Sequence, residues 1–412
     1  MRRSILILFS ALGMLSAAAQ APDSLPVYAP EMDAPPSADW LVEPVKARAA
    51  VYRSADGKDL ILWNGLVKRV FRLQPNVACT EFKNLVSGEQ LLRAVKPEAR
   101  VTLDGSTCRV GGLYGQTQNA YLLPEWVDGF TAGPGDFLFQ DFEVKPLVPR
   151  IHWKRNRWAS QTADPAGKEL VFRYRHPSES LRQVELQVHY EIYDGLPLLC
   201  KWLSIRVIHG NISTPLRIGR VVNEILAAVE EESAVVGKPE RMKKPHGLYI
   251  ESNYCFNNAM RAEISDQTTH WLIDSSYTSQ VNYDYNTPCL LEVFPESGPG
   301  IDLGPGETFE SVRTWELLSD SYDRERNGLA RRRMYRTVAP WTLPAHAQNW
   351  RSRPGTASTR VRCSPRRACP RPKCSRRVTA GFLASRLTVS VTRPQRHAVR
   401  ARIAKERALR RA

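Results

Sequence analysis

The sequence lacks the short motifs that identify the commonest catalytic sites. It contains no G-x-S-x-G turn of a serine hydrolase, no H-E-x-x-H zinc helix, no Walker phosphate loop and no G-x-G-x-x-G after a strand. The glycines between Gly298 and Gly306 alternate with two prolines, and proline removes the amide donors that a phosphate cradle needs. These absences count against a serine hydrolase, a zinc peptidase and a nucleotide-binding enzyme.

Histidine and cysteine are few and scattered. None of the eight histidines has a second histidine or a cysteine at zinc-binding spacing, so we expect no metal site and no cofactor. Five cysteines precede residue 300, an odd number that cannot pair completely within the chain. Two alternatives stay open: no disulfide, or one between Cys255 and Cys289. Cys200 lies in an apolar run and is expected to be a buried thiol.

Acidic residues are almost missing from the end of the chain. Residues 351–412 hold 17 Arg and 2 Lys against the single acid Glu406, a net charge of +18. Since the whole chain carries +16, residues 1–350 are near neutral at −2. The strongly basic character therefore belongs to the tail, and we expect no specific nucleic-acid partner for the fold.

Residues 344–412 have a composition that cannot support a packed core, and we predict a disordered basic tail. The leading hypothesis is out-of-frame translation of GC-rich DNA, because the codons of Arg, Ala and Pro are GC-rich. One alternative is an exported protein that binds polyanions through this tail. The other alternative is a folded basic module.

Long apolar runs are also scarce, and the one at the start has the form of an export signal. Arg2 and Arg3 precede an apolar stretch from Ile5 to Leu15 and several alanines, which predicts a signal peptide over residues 1–21. The stretch is shorter than the roughly 20 residues that span a bilayer, so an uncleaved anchor is the weaker alternative. We expect a periplasmic or secreted protein with no membrane span after signal removal. Residues 22–39 contain five prolines and predict an extended linker.

Residues 40–320 are dominated by strand signals. Gln183–Tyr193 alternates apolar and polar residues, which places the apolar side chains on one face of a half-buried strand. Asp194-Gly195 then predicts a turn into a second strand at Leu199–Ile208, giving an antiparallel hairpin. Two further hairpin turns are marked in the same way: Asp56-Gly57 and Asp104-Gly105.

Helical signals are rare. Val221–Glu231 permits a short helix, and Ser321–Thr337 predicts a longer one with Ser321 as N-cap and arginines in its later turns. Pro340 should end this helix. Many strands without βαβ alternation predict an all-β fold, a large antiparallel sandwich of two sheets over residues 40–320. A helical connector follows over residues 321–343.

The ten tryptophans raise the question of sugar binding. Exposed aromatic faces stack on sugar rings, and neighbouring acids bind hydroxyl groups, so Trp126 and Asp128 are candidate sugar contacts. Tyr254 and Trp271, in a polar and aromatic stretch, are candidates on composition alone. Most of the tryptophans, Trp202 among them, are expected in the core.

Several segments of the body resemble α-galactosidases of glycoside hydrolase family 36. The first group of segments is Phe82-Lys83-Asn84-Leu85, Leu92 to Ala99 and Gly111 to Gln116. The second is Gly304 to Ser311, Arg324-Glu325-Arg326 and Ala339-Pro340-Trp341-Thr342. The resemblance covers about residues 40–342 and implies a galactose-mutarotase-like β-supersandwich that precedes a catalytic barrel.

Enzymes of that family are retaining glycosidases, with two aspartates at strand ends of a (β/α)8 barrel. Only 70 residues follow Thr342, whereas a barrel takes roughly 250. No catalytic aspartate can therefore be assigned to any position of this chain. The sequence predicts a secreted, carbohydrate-active sandwich domain that is inactive as encoded. The alternatives are a non-catalytic carbohydrate-binding module and an exported polyanion-binding protein.

Overall fold

The computed structural model describes residues 21–149, 164–208, 215–230, 247–254, 268–278 and 288–338. All of them belong to the first of the chain's two units, residues 1–355. Nineteen strands dominate the described residues: β1 Ala50–Arg53, β2 Asp59–Trp63, β3 Val67–Arg72, β4 Ala78–Asn84, β5 Leu92–Ala94, β6 Ala99–Leu103, β7 Ser106–Val110, β8 Leu138–Pro146, β9 Gly167–Arg175, β10 Val184–Tyr193, β11 Leu198–Val207, β12 Leu216–Val222, β13 Glu224–Ala228, β14 Leu248–Ser252, β15 Thr269–Leu272, β16 Leu290–Val293, β17 Ile301–Leu303, β18 Thr308–Glu310 and β19 Thr314–Leu318.

The helices within the described residues are few. Helix α1 is Pro124–Val127, helix α2 is Arg324–Val338, and short 3-10 turns occupy Pro22–Ser24, Pro30–Asp33 and Glu179–Leu181. A sandwich followed by a helix is the architecture that the sequence predicted. None of these helices is long and apolar enough to cross a membrane.

Hydrogen bonds join the strands into four sheets, and every strand pair between them is antiparallel. The largest has seven strands in the order β14-β19-β11-β10-β9-β8, with β18 beside β11. The others have four strands each, in the orders β1-β2-β3-β4, β17-β12-β6-β7 and β15-β16-β13-β5. The sequence predicted two sheets. It could not locate the breaks in hydrogen bonding between short strands.

The central hairpin forms where the alternating pattern predicted it. β10 pairs with β11 from Val184 opposite Val207 to Ile192 opposite Leu199. Because neighbouring strand residues point to opposite faces, Val188 and Tyr190 point into the core while His189 and Glu191 point to the other face. The turns at Asp56-Gly57 and Asp104-Gly105 are confirmed as well, between β1 and β2 and between β6 and β7.

One large hydrophobic core lies between the seven-stranded sheet and the other sheets. Its centre is an aromatic group in which the Phe71 ring lies 5.2 Å from Phe172 and 4.8 Å from Tyr190. Phe71 belongs to β3, whereas the other two belong to β9 and β10, so these contacts hold two sheets together. Aromatic pairs of this kind contribute about 0.5–1.5 kcal/mol beyond the area they bury.

A second hydrophobic cluster lies on the opposite face of the seven-stranded sheet, under helix α2. Trp202 and Cys200 of β11 pack there with Trp40 and Met334. Both predictions for β11 are confirmed, since Cys200 is a buried thiol and Trp202 is a core residue. Helix α2 therefore stabilises the outer face of the sheet.

The capping residue of helix α2 differs from the prediction. The Asp323 carboxylate accepts a hydrogen bond of 2.6 Å from the Arg326 backbone amide, which is the N-cap arrangement. Ser321 instead accepts a bond from the Asp323 amide through its hydroxyl, 3.0 Å away. The N-cap is consequently two residues later than predicted, and the helix begins at Arg324.

Residues 221–230, the described part of the segment Val221–Glu231, do not contain the short helix that the sequence permitted. β12 ends at Val222, and β13 runs from Glu224 to Ala228, with all five of its residues buried. An apolar run of this length has no clear period, so its neighbours in the sheet decide its conformation.

Residues 22–39 also differ from the extended linker that the prolines predicted. Leu25 is only 9% exposed and packs in the main core, and Val27 forms a parallel bridge with Arg53 of β1. Trp63 donates a hydrogen bond of 3.1 Å from Nε1 to the Met32 carbonyl. Prolines are tolerated along a sheet edge because they need not donate there, so this segment lines the edge of β1.

Three predictions fall outside the described residues. The signal sequence up to residue 20, the basic tail over 344–412 and the segment containing Cys255 all lie there. Cys289 is buried, but without its suggested partner the disulfide stays a prediction.

Candidate functional site

An open pocket lies where the β1–β2 turn meets the end of β3. Its volume is about 870 Å³, within the usual range for small-molecule sites. The turn, the residues after β3, the residue after α1 and the start of β8 each supply part of the wall. The lining residues are Ala21, Pro22, Asp56, Gly57, Lys58, Arg72, Leu73, Gln74, Pro75, Asp128, Phe139, Gln140, Asp141 and Phe142.

Asp128 is one of three aspartates in this lining. Its carboxylate accepts a hydrogen bond of 2.7 Å from Lys58 Nζ and another from Arg72. These bonds, first from Lys58 and then from Arg72, hold the pKa of Asp128 below its usual range. The carboxylate is therefore ionised at neutral pH. At 57% exposure it can still accept hydrogen bonds from a ligand.

Arg72 joins Asp128 to a second carboxylate, Asp59. Its Nε donates to Asp59 over 2.6 Å. Burial raises the pKa of Asp59 and outweighs the opposing effect of Arg72, so the two aspartates that share one arginine have pKa values shifted in opposite directions. Such a contrast is typical of acid–base pairs. Asp59, however, lies behind the arginine and is not part of the pocket lining.

The remaining walls contain carboxylates that are bonded to neighbouring side chains, together with apolar surface. Asp141 is paired with Arg173 at 2.6 Å, and Asp56 accepts a short bond from the Ser54 hydroxyl. Phe139 is half-buried beside them and packs edge-on against Phe172. A lining of neutralised charges and a partly exposed ring is suited to a neutral ligand with hydroxyl groups and one apolar face.

Two amide side chains extend the hydrogen-bonding capacity of the pocket. Gln140 donates through Nε2 to the carbonyls of Leu138 and Phe139, which orients the side chain. Gln74 is exposed on the segment after β3. Each amide oxygen can accept two hydrogen bonds, so both groups suit hydroxyl donors.

The structure brings only one of the four predicted site residues into this pocket. Asp128 lines it, whereas Trp126, two residues earlier on α1, packs toward Tyr121 with ring centroids 5.5 Å apart. Trp271 belongs to β15 and packs against the main core, and Tyr254 follows β14 in the seven-stranded sheet. The four residues therefore do not form one site.

A second acidic pair, Glu224 and Glu316, lies in the core. Arg69 donates from Nη1 to Glu316 over 2.7 Å and from Nη2 to Glu224 over 3.2 Å. Burial raises the pKa of Glu316, whereas Arg69 and Lys201 together outweigh burial and hold the pKa of Glu224 below its usual range. Each of the two carboxyls is only 1% exposed. A substrate cannot reach them, so their role is structural.

Glu98 and Lys201 extend this buried network. Lys201 Nζ lies 3.0 Å from Glu224 and 3.8 Å from Glu98, and it also bonds to the Glu98 carbonyl. The other Glu98 contacts are the Cys79 amide, 2.7 Å away, and the Tyr190 hydroxyl. Buried charges persist when they are paired, and each charge of this network has an opposite charge within 4 Å, although Arg69 Nε and Glu316 Oε1 have no hydrogen-bond partner.

The segment Leu92 to Ala99, which carried the family resemblance, supplies a further buried pair. Arg93 Nη2 lies 2.8 Å from Asp274, and its other nitrogens donate to backbone carbonyls of residues 119 and 228. Lys96 also contacts Asp274, at 2.8 Å. The charged residues of this segment therefore anchor loops and strands and do not form a site. The sequence signal for this structural role is a charged residue, Arg93, with neighbours that are buried, Leu92 and Ala94.

Metal binding has no candidate among the described residues, since they contain no suitable group of three His, Cys, Asp or Glu side chains.

No protein-family model matches the chain, and a search of curated proteins returns no match. Solved structures with a similar fold include the galactosidase domain of the α-galactosidase-sucrose kinase AgaSK, with 11% identity and a TM-score of 0.36 over 66% of this chain and 42% of that one. The GH36 α-galactosidase AgaA from Geobacillus stearothermophilus has 12% identity and a TM-score of 0.35 over 64% and 41%. A galactose mutarotase related enzyme from Lactobacillus acidophilus has 11% identity and a TM-score of 0.29 over 64% and 99%.

The matched region spans about two fifths of the length of the two galactosidases. At these identities and scores, no residue of this chain can be equated with a residue of those enzymes, and the likeness is limited to the arrangement of the strands.

Proposed function

We propose that this protein is an exported carbohydrate-binding sandwich domain of the α-galactosidase-like type, which holds a neutral sugar in the pocket around Asp128 without hydrolysing it. The lining of that pocket is the observation that carries the proposal. It offers carboxylate, ammonium and amide groups to hydroxyls, and the ring of Phe139 offers an apolar surface. The sequence resemblance to family 36 enzymes and the β-sandwich fold agree with it.

The absence of hydrolysis follows from the pairing of the acids. A retaining glycosidase needs an ionised nucleophile and a protonated acid about 5–5.5 Å apart, both in reach of the substrate. In the pocket the ionised group, Asp128, is bound to Lys58 and Arg72, and the group with the raised pKa, Asp59, lies outside the lining. The core pair Glu224 and Glu316 is sealed from solvent.

Binding and turnover can be measured on the same sample. We expect the full-length protein to bind raffinose, a neutral galactose-terminated trisaccharide, in a calorimetric titration. We also expect it to release no nitrophenol from an aryl α-galactoside. Measurable turnover would overturn the non-hydrolytic part of the proposal, and the lack of saturable binding at millimolar raffinose would overturn the sugar-binding part.

Replacement of Asp128 tests whether raffinose binds in this pocket. Asp128→Asn keeps the shape of the side chain and removes the charged acceptor, and a hydrogen bond to a charged group is worth about 1.5–3 kcal/mol. We therefore expect raffinose affinity to fall by at least about tenfold. The matched control is Asp302→Asn, which changes an exposed pair with Arg217 that is not part of the pocket lining and should leave affinity unchanged.

Trp126→Ala distinguishes this pocket from the aromatic platform that the sequence predicted. Trp126 packs toward Tyr121 and is not part of the lining, so its removal should change raffinose affinity by less than twofold if the pocket is the site. A large loss in Trp126→Ala with no loss in Asp128→Asn would place the sugar on the aromatic pair instead.

A further inference from the structure

A chain of hydrogen bonds connects the sugar pocket to a carboxylate outside its lining. Arg72 of β3 donates from Nε to Asp59 Oδ1 over 2.6 Å and from Nη1 to Asp128 Oδ1. Asp59 is the first residue of β2 and lies directly opposite Arg72 in the antiparallel ladder, so the strand register brings this pair together. Asp128 follows α1 and reaches the pocket from another part of the chain. One guanidinium therefore binds a carboxylate of the pocket and a carboxylate of the sheet.

The two ends of this chain differ in exposure. The side chains of Asp59 and Arg72 are 19% and 11% exposed, whereas that of Asp128 is 57% exposed. The Asp59 amide also donates to the Ser54 hydroxyl over 3.0 Å, which holds the start of β2 to the end of β1. Lys58, the other partner of Asp128, is 48% exposed, and exposed pairs of this kind contribute little. The orientation of Asp128 therefore depends mainly on Arg72 and on the carboxylate behind it.

The charge of Asp59 also affects Asp128 as a hydrogen-bond acceptor. While Asp59 is ionised, the Arg72 guanidinium divides its positive charge between two carboxylates. When Asp59 is neutral, Arg72 compensates Asp128 alone, and a compensated carboxylate accepts weaker hydrogen bonds from a sugar hydroxyl. A neutral Asp59 also loses the charge-assisted bond that orients Arg72. Both effects weaken the bonds between Asp128 and a sugar.

We propose that Asp59 is a positioning residue of the sugar pocket, and that its negative charge acts through Arg72 to keep Asp128 oriented and able to accept hydrogen bonds from the sugar. The inference rests on the proposed function. Asp59 does not line the pocket, so it does not touch the ligand.

Acid separates the two carboxylates. The charged groups that face Asp59 are Arg72 of β3, Asp56 of the β1–β2 turn and Asp128. Burial raises the pKa of Asp59, with help from Asp56 and Asp128, and outweighs the opposing effect of Arg72. The bonds from Lys58 and Arg72 lower the pKa of Asp128. At the usual pKa of an aspartate, about 3.9, Asp59 is therefore mostly neutral while Asp128 is mostly ionised.

Asp59→Asn tests the role of this charge, because it keeps the shape of the side chain in an uncharged form. We expect its raffinose affinity at neutral pH to be at least about threefold below that of the wild type, a coupling of the size found within one hydrogen-bond network. At about pH 3.9 the two affinities should be nearly equal, since the wild-type Asp59 is then neutral as well. Calorimetric titration of the full-length proteins measures both affinities, and circular dichroism at each pH establishes that they are folded.

A control and a double replacement complete the test. Asp302→Asn changes an exposed pair with Arg217 and should bind raffinose as the wild type does at both pH values. In the Asp128→Asn background, Asp59→Asn should lower the affinity by less than about 1.5-fold, because the acceptor that Asp59 positions is then gone.

The outcomes separate this inference from the proposed function. Equal affinities of the wild type and Asp59→Asn at neutral pH would overturn the inference. An affinity ratio that is the same at both pH values would also overturn it, since the side chain would then act by its shape and not by its charge. Additive losses in the double variant would show that Asp59 does not act through Asp128. All three results leave raffinose binding standing, whereas a wild type without saturable binding at neutral pH would overturn the sugar pocket and the inference with it.

Discussion

Arg69 Nη1 on β3 lies 2.7 Å from Glu316 Oε2 on β19, and both side chains are only 1% exposed. The same guanidinium also reaches Glu224 on β13, so one arginine joins three of the four sheets. Its charge lies over the rings of Phe82 and Tyr190, at 4.7 and 4.9 Å from their centroids. The centre of the sandwich therefore depends on a charged residue as well as on hydrophobic packing.

Replacement of this arginine should be strongly destabilising. Arg69→Met fills part of the volume but leaves Glu224 and Glu316 buried without their shared cation. Removing one partner of a buried pair costs about 3–5 kcal/mol. We expect a loss of that size in urea unfolding. The control is Arg217→Met at an exposed pair with Asp302, where the change should be at most about 1 kcal/mol. Equal changes in the two variants would contradict a structural role for Arg69.

The raised pKa of Glu316 predicts how stability depends on pH. The folded protein keeps a proton on Glu316 that the unfolded chain releases above its usual pKa of about 4.3. The stability that Glu316 provides is therefore full below about pH 4.3 and declines as pH rises toward the folded pKa. Glu316→Gln cannot titrate and loses this dependence.

We expect the wild-type protein to lose stability relative to Glu316→Gln as the pH rises above the usual pKa of a glutamate, by up to about 1.4 kcal/mol per pH unit. Urea unfolding of both proteins at a series of pH values measures the difference. A difference that is independent of pH, or one that grows in favour of the wild type, would show that Glu316 is ionised in the folded state.

Gly111-Gly112, part of the resemblance to family 36, provides a test of backbone geometry. Gly112 has φ of +92°, and a Cβ there would lie 2.8 Å from Pro97 Cα. Gly105 has φ of +80° in the β6–β7 turn with nothing within 4 Å. Alanine at Gly105 should cost about 1–2 kcal/mol for the left-handed backbone alone. Alanine at Gly112 should cost about 1–3 kcal/mol more, because Pro97 must move. Equal costs in thermal unfolding would contradict the close approach of the two chain segments.

The local parts of the fold could be predicted from the sequence, because their signals lie within a few residues. The β10–β11 hairpin and helix α2 are examples. Arg69 could have been recognised as well, since Val67 and Phe71 are its neighbours at i−2 and i+2, and residues two apart in a strand share a face. Its partners could not, because Glu224 and Glu316 lie 155 and 247 residues away.

The candidate site was predictable only in part for the same reason. The sequence indicates Asp128 as a sugar contact because it lies two residues after Trp126, but in the structure its neighbours are Lys58 and Arg72. Lys58, its partner, is 70 residues away in the β1–β2 turn, and Arg72 is 56 residues away at the end of β3. A pocket whose walls come from distant segments leaves no periodic pattern in the sequence.

Leu25 tests whether the N-terminal segment belongs to the folded domain. The prolines of residues 22–39 predict a linker, and in a linker Leu25→Ala would not affect stability. In the structure Leu25 is 9% exposed within the main core, so its truncation removes apolar contacts and leaves a cavity, at a cost of about 2 kcal/mol or more. The matched control is Val27→Ala two residues later, because Val27 is 47% exposed and its loss should cost less than about 0.5 kcal/mol. Urea unfolding of the two variants measures both costs. If Leu25→Ala were as stable as the wild type, the segment would be a linker, and the wall that Ala21 and Pro22 give to the pocket would lack its anchor.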